Sequence, residues 1–557
     1  MKKISFLYPV AFCYLVLFFF ANPIQATTYY VDRNHPSPSD TNPGTLNSPW
    51  LTIQHAAEMV AAGDTVFVRA GTYFENIYLG QGGNETDGHT VLAAYPGETP
   101  VIDGDGVTDS GNGVILAAPR IKLLGFEIRN WEDNGIWIED APYFEVSDCE
   151  VHHVFYGIGV SEGTHDFAFN RMVVHHFTLY GFDVTSSEET PCYNGEFNDC
   201  LAHTGTDPAQ NVDGFALGHG NQYGFVFNRC TTYDVFDGFD ISSRNTILNR
   251  CLAYNCHNGA YKLWQDNIRL INCIGYQCES AVVELDWDGE PGKVMLSNCT
   301  FFQGKTYTVW VENNSDTLEM YNCILAGGGN IGLAFEQMGI ANYRGDYNLY
   351  HNENPDRAVA VAYSDEFSLD DMAAGSWTTY SGQDTHSLVA ISETNIFKDP
   401  DQYDLHLQSN SPAIDNGDNS HAPDEDYDGN PRPAGTSVDI GAFEYQEATF
   451  VLQPEGQFFA EWQIFTRNYP NPFKTNTTIY CEFPYQGQRA EEAEICIYNA
   501  EGRLIRILAV KDKTDGRYTC LWDGSDEEGN EVADGIYLYA VRAGEYVGRG
   551  KMILSGN

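Results

Sequence analysis

The chain has 557 residues, with 78 acidic against 30 basic side chains and a formal net charge of −48 at pH 7. So acidic a protein argues against nucleic acid and anionic membranes, which need basic patches, and is poorly suited to an anionic substrate unless a cation mediates. Its 53 glycines and 13% aromatic content suit a large folded protein, and the length allows more than one domain.

Met1–Ala26 reads as a signal peptide: Lys2 and Lys3 give a positive start, Ile4–Phe20 is apolar, and Ala26 ends a cleavage site. Tyr8, Pro9 and Tyr14 interrupt the apolar run, which argues against an anchor, and no later stretch approaches a membrane span. The mature chain is expected to be a monomer, secreted and extracellular or held at a bacterial cell surface.

Residues 27–446 predict a parallel β-helix. In SPWLTIQHAAEMVAAGDTVFVRAGTY an amphipathic helix is expected over about Ile53–Ala62 and a strand at Thr65–Arg69. A solenoid must cover its first apolar coil, and such a helix is a natural cap. From Val91 to about Leu349, short β-rich segments alternate with Gly, Asn and Asp turns. Cys149, Cys200, Cys230, Cys251, Cys273, Cys299 and Cys323 recur in phrases such as FNRC, LNRC and INC, with Met172 in the same slot. They predict an inward ladder of small thiols rather than a disulfide framework or a metal site, since no C-x-x-C pair occurs. Three residues after each slot stand His152, His175, His203, Tyr233, Tyr254, Tyr276 and Phe302. A zinc reading of the histidines competes with a structural stack, and the grading into aromatic residues favours the stack.

Within this region one phrase repeats: VDGFAL at 212–217, FDGFDI at 236–241 and GAYKL at 259–263. Aligning them puts Ala216, Asp240 and Lys262 at one position, which extends upstream to Trp137, Gly159 and Asp183 and downstream to Glu284 and Trp310. The position alternates with apolar neighbours, so it faces outward. Coils stack at strand spacing, about 4.8 Å, which makes Asp240 and Lys262 surface neighbours. Asp213 and Asp237 form a second column beside them. The 33-residue step from Asp183 to Ala216 predicts a projecting loop, TSSEETPCYNGE, beside the carboxylates.

Periodicity fades around 350–400. YDLHLQSNSPAIDNGD and DEDYDGNPRPAGTSVDIGAFEY then resemble a closing segment of exported bacterial β-helix proteins. Asp424, Asp426 and Asp428 suggest a calcium loop, but Gly435 stands where a bidentate acid is needed, so a turn with solvated acids is expected. A linker is read over 447–467, and 468–557 alternates strands with turn signals as a small β-sandwich. There NYPNPF, IYNAEGR, WDGSDEEGNEVADGIYLY and KMIL resemble type IX secretion sorting domains and the related flagellar-hook-cap immunoglobulin-like modules. The resemblance implies export through secretion machinery or cell-surface attachment. A clear basic tail is lacking.

A lysine beside carboxylates is ordinarily an ion pair. Here Asp213, Asp237 and Asp240 offer three oxygen donors from adjacent coils, suited to Ca²⁺. A bound cation would lower the pKa of Lys262 and leave it a general base. Calcium also suits a uronate carboxylate, and together these are the requirements of β-elimination from an acidic polysaccharide. NVDGFA, FDGFD and YKL resemble the catalytic coils of polysaccharide lyase family nine, pectate lyases with a right-handed parallel β-helix. The resemblance implies Asp213, Asp237 and Asp240 as calcium ligands and Lys262 as the base. It departs at Phe236, where the family pattern has a further aspartate. Two alternatives stand beside the lyase. One is a glycoside hydrolase pairing Asp183 with Asp240, or Asp240 with Glu284. The other is a noncatalytic glycan binder with Trp264, Trp287 and Trp310, 23 residues apart, as a stacking stripe. Trp264, Glu284, Trp287 and Trp310 are the expected substrate contacts.

Overall fold

The computed structural model describes residues 26–446 and 462–555, apart from 109–110, 208–209, 219, 286–291, 313–316, 337–338, 363–364, 464, 470, 472, 483–492, 500–502, 510–511, 515–516, 528 and 544–545. The segment read as a signal peptide, most of the linker and Trp287 therefore lie outside the described residues.

From Thr28 to Val361 the chain is a β-solenoid whose strands pair in parallel with the equivalent strand of the next coil. One face is a sheet of fourteen strands, beginning at Thr28–Val31 and ending at Tyr343–Asp346. The remaining strands form two more faces. Glu127–Ile138, Glu150–Val160 and Val173–Val184 run through both, bending at a register shift between Val154 and Tyr156.

The recurring phrases around cysteine are the corners of this coil. Asp148, Arg171, Asp199, Arg229, Arg250, Asn272, Asn298 and Asn322, each directly before a ladder position, have φ between 50° and 57°. Aspartate and asparagine tolerate that left-handed conformation. Two of the arginines are tied down by the preceding coil, Arg171 on Asp148 and Arg229 on Asp199, each at 2.7 Å. The corner then turns the next side chain inward, and all seven cysteines and Met172 are buried. Every cysteine among the described residues is free. From Cys149 to Cys299 the thiols donate to carbonyls of the coil below, as Cys230 does to Phe197 O at 3.3 Å.

Ring stacks fix the coil spacing. Inside, Phe182, Phe215, Phe239 and Tyr261 stack at 4.7, 4.9 and 5.3 Å. Outside the thiol corner, His152, His175, His203, Tyr233, Tyr254 and Tyr276 stack face to face at 4.8 to 5.1 Å. The histidines are thus members of an aromatic stack, with His152 on Glu127 and His175 on Glu150.

The entry helix is Ile53–Met59, shorter than expected, capped by the Thr52 side chain accepting from His55 N. At the far end, where periodicity fades, Asp365–Phe367 turns back antiparallel on Val359–Val361. Two short helices follow, Leu369–Ala373 and Ser376–Ser381, and the buried Trp377 donates to Asp384 at 2.8 Å. Residues 396–443 then return along one outer face, packing Phe397, Leu405, Ile440 and Ala442 on Ile274, Phe302 and Ile324. Asn298 and Asn322 donate to the carbonyls of Asp439 and Asp418 there. Asp426 corrects the expectation of a solvated turn. It is buried, and its carboxylate accepts from Asn430 N at 2.7 Å and Glu444 N at 2.9 Å, which uses its oxygens for backbone.

The C-terminal part is a small all-β domain. A five-stranded sheet (Trp462–Gln463, Ala493–Asn499, Leu504–Ala509, Gly535–Ala543, Tyr546–Leu554) faces a four-stranded one (Phe465–Tyr469, Thr477–Glu482, Asp512–Thr514, Arg517–Trp522). Ile479, Ile495, Ile497, Trp522, Val541 and Met552 fill the core between them.

Candidate functional site

The repeated phrase lies on one face of the solenoid, in register. Trp137 pairs with Gly159, Gly159 with Asp183, Asp183 with Ala216, Ala216 with Asp240, Asp240 with Lys262, Lys262 with Glu284, and Glu284 with Trp310. Inward neighbours such as Phe239, Ile241, Tyr261 and Leu263 are buried, so this column points outward. Three residues earlier runs the second column. Asn134, Tyr156, Tyr180 and Asp213 are paired. Asp237 follows, donating its backbone N–H to Asp213 Oδ1 at 3.2 Å.

The glycine of each phrase is what lets the columns approach. A Cβ on Gly238 would lie 2.6 Å from Ala260 O and 2.9 Å from Ala253 Cβ.

The second column departs from the expected open surface, because Asp213 and Asp237 are buried. Each pins the coil beyond it. Asp237 Oδ1 accepts from Gly259 N and from Asn258 Nδ2, both at 2.9 Å, while its buried Oδ2 has no hydrogen-bond partner. Asp240 and Lys262 are half-exposed. Trp264 Nε1 donates to Asp240 Oδ1 at 2.6 Å, and Lys262 Nζ stands 4.5 Å from the centre of the Trp264 ring, a cation–π contact.

Burial, then the Asp237 and Asp240 charges, push the Asp213 carboxyl up to about 9, against the pull of Lys262. Burial likewise raises Asp237, with Lys262 opposing. Asp183 is pushed up to about 7 by burial alone. Among the described residues no three His, Cys, Asp or Glu side chains are already drawn together as a metal-binding group. The donor chemistry nevertheless suits a hard cation: the Asp237 and Asp240 charges both act on Asp213, and one buried Asp237 oxygen is unpartnered.

Tryptophan spacing does not translate into a shared position. The coils are 22 residues from Lys262 to Glu284 and 26 from Glu284 to Trp310, so Trp310 lies in the outward column and Trp264 two residues beyond it. Trp310 stacks on Tyr307 at 5.1 Å. The segment expected as one projecting loop is half strand: Cys192–Asn198 joins the large sheet. Tyr180 joins the site without being among the residues expected from the sequence, and burial with the Asp213 and Asp183 charges pushes its hydroxyl up to about 12. Its signal was present, because YGFDV puts Tyr180 where VDGFAL puts Asp213. Asn258, in HNGAYKL, was visible only as a turn residue.

Parallel coils stacked in register define a parallel β-helix, with Asp183, Asp240, Lys262 and Glu284 in one outward column. Residues 29–338 match the family model described as Pel9A-like, right handed beta helix region, which is more than half of the chain, and the chain belongs to that family. Residues 481–545 match the FlgD Ig-like domain. The chain is 28% identical over 226 residues to pectate lyase PEL9 of Emericella nidulans, an overlap of 39% of this chain and 50% of that protein. It is 41% identical over 76 residues to the uncharacterized protein YwoF of Bacillus subtilis, 14% of this chain and 16% of that one. The chain thus spans half the length of the first of these curated relatives and less of the second. A crystal structure of pectate lyase Pel9A is similar at a TM-score of 0.48 and 16% identity, covering 75% of this chain and 96% of that one. No helix among the described residues is long and apolar enough to cross a membrane.

Proposed function

We propose that the chain is a secreted, calcium-dependent polysaccharide lyase that cleaves a uronate-containing, pectin-like polysaccharide by β-elimination. The observation that carries this reading is the register setting Lys262 one coil beyond Asp240 on the same outward column, in a chain of the Pel9A-like family. Lys262 takes the proton alpha to the uronate carboxylate. The bond from the neighbouring carbon to the glycosidic oxygen then breaks. A double bond forms in the ring, and the departing oxygen takes a proton from solvent. Asp213, Asp237 and Asp240 would hold calcium, which when bound supplies charge neutralisation at the substrate carboxylate and disfavours a proton on Lys262. Trp264 orients both partners through its ring under the lysine and its N–H on Asp240, which makes it a positioning residue. Glu284 and Trp310, in the same column, with Trp287, are proposed to touch the substrate.

Phe236, half-buried with its ring 6.0 Å from His257, stands where the family pattern has another acid, and calcium is held the more weakly for it. Residues 1–26 would direct export, 27–446 carry catalysis, 447–467 link, and 468–557 serve type IX sorting or surface attachment.

Incubation with a panel of uronate polysaccharides tests the reading. New ultraviolet-absorbing unsaturated ends are expected. New reducing ends without absorbance would mean a hydrolase, for which Asp183 and Asp240 two coils apart are the acid pair. Retention without cleavage would mean a binder.

A further inference from the structure

The histidines of the aromatic stack have immediate neighbours that the stack does not explain. His153 follows His152 and His176 follows His175, each exposed at a corner, with φ of 56° and 53°. In the next coils that corner holds Thr204, Asp234, Asn255, Gln277 and Gln303, with φ between 51° and 56°. The turn itself therefore does not call for histidine. Within each pair the Nδ1 atoms meet, at 2.7 Å in His152–His153 and 2.6 Å in His175–His176. Across the two coils the inner rings stack at 4.9 Å and the outer rings at 4.8 Å.

Carboxylates fix the direction of these contacts. An ionised glutamate only accepts, so Nε2 of His152 donates to Glu127 at 3.3 Å and Nε2 of His175 to Glu150 at 3.0 Å. A neutral inner ring then presents a bare Nδ1, and the outer ring donates its Nδ1–H to it. One further proton per pair is accommodated, because an imidazolium can still donate across the contact to a neutral ring. A second is not, since it would set two N–H groups head to head. Arg129 faces the array from one side, bound to Glu127 at 2.6 Å and to Asp103 at 2.9 Å. From the other side come His203, whose Nδ1 meets Thr204 Oγ1 at 2.8 Å, then Tyr233 and Asp234.

The four histidines thus hold two ionising protons in the fold, and one each in the unfolded chain. Folding becomes less favourable as pH falls through about 6.5, the ordinary value of histidine. Burial, then the His152, His176 and Arg129 charges, lower the value of His153. A histidine lowered in the fold contributes stability above its unfolded value and loses it in acid, which is the same sign. The array lies where Glu150–Val160 and Val173–Val184 bend, and the far ends of these strands carry Tyr156, Tyr180 and Asp183 into the columns of the groove.

We propose that the paired histidines are an acid-sensitive switch: in mild acid a second proton on each pair breaks the Nδ1 contact and loosens the bend that seats Tyr156, Tyr180 and Asp183. As regulation of catalysis this rests on the lyase reading, whereas the switch itself does not.

The test compares the full wild-type chain with a His153→Gln/His176→Gln chain, since glutamine already occupies the same corner at 277 and 303. Backbone hydrogen exchange of Glu150–Val160 and Val173–Val184, corrected for intrinsic rates, is followed at about pH 7.5 and about pH 5.5. Each blocked proton changes the opening equilibrium about tenfold over that interval, so wild type should lose about a hundredfold of protection relative to the variant. The described coils within 247–335 should not differ between the chains. His176→Gln alone should recover about tenfold, and it decides the matter should the double variant not fold. Equal protection in both chains at both pH values, or a loss spread evenly over 247–335, overturns the proposal. Elimination of a uronate polysaccharide is the second readout, and wild type should lose it in acid more steeply than the variant. Local loosening with identical elimination profiles overturns the link to the groove. Local loosening without elimination at either pH sinks the lyase reading and leaves the switch standing.

Discussion

Asp213→Asn, studied in chelator, should make the calcium-free solenoid more stable at neutral and alkaline pH. The Asp213 carboxyl ordinarily ionises at 3.8 and in the fold is pushed up to about 9. Between those values the folded state keeps a proton that the unfolded chain has released. Stability therefore falls as pH rises through that window, by about 1.4 kcal/mol per pH unit for one group. Over three units, from about pH 5 to about pH 8, that is about 4 kcal/mol, and relaxation of the neighbouring carboxylates should leave at least about half of it. Asparagine keeps an acceptor for Asp237 N and never ionises, so the Asp213 contribution to this slope should vanish, leaving that of Asp237, which burial shifts in the same direction. Urea unfolding at the two pH values reads the difference directly. Calcium at a hundredfold excess over its Kd should stabilise the wild type at the higher pH by about 2.7 kcal/mol, and the variant by much less. A variant with the wild-type pH slope, or one stabilised equally by calcium, would refute the reasoning.

Lys262→Ala should lower elimination by about a hundredfold to ten-thousandfold, and Lys262→Arg nearly as much, because a guanidinium stays protonated. Full activity in Lys262→Arg would exclude a lysine base. Phe236→Asp should lower the calcium concentration for half-maximal activity by about tenfold, as an added carboxylate strengthens a hard-cation site; an unchanged requirement would mean that this position does not reach the cation. Thiol titration should find the ladder from Cys149 to Cys323 reduced and reactive only after unfolding, since every one of these thiols is buried. Finding most of them oxidised would contradict the inward ladder.

The fold was legible because a solenoid writes each structural demand once per coil. The left-handed corner selects Asp, Asn or an ion-paired Arg before an inward side chain, and that pair recurs from Asp148 to Cys323. The outward column was legible for the same reason, since alternation and glycine placement fix which side chains share a face. The tryptophan stripe was misleading because equal spacing means equal angle only where coils are equal in length, and those after Lys262 are 22 and 26 residues long. Regions without a repeat were opaque. The helices covering the last coil and the segment returning over Ile274, Phe302 and Ile324 have no period to read. Burial of Asp213 and Asp237 was equally hidden, because it depends on the backbone of the next coil.

That burial separates what an aspartate does for the fold from what it does for the chemistry. Asp213 Oδ1 accepts from Asp237 N, and Asp237 Oδ1 accepts from Gly259 N and Asn258. One oxygen of each carboxylate thus closes the backbone between coils, which an amide oxygen can do as well. The second oxygen of Asp237 has no partner and lies in a site where further negative charge is unfavourable. Within the solenoid the Lys262 ammonium is the charge that offsets Asp237. Two aspartates on successive coils, at a position where neutral residues such as Asn134 and Tyr156 serve elsewhere in the same column, are the charges that the proposed mechanism assigns to a cation, and Asp237→Asn, which retains the acceptor for Gly259 N, separates that role from the structural one.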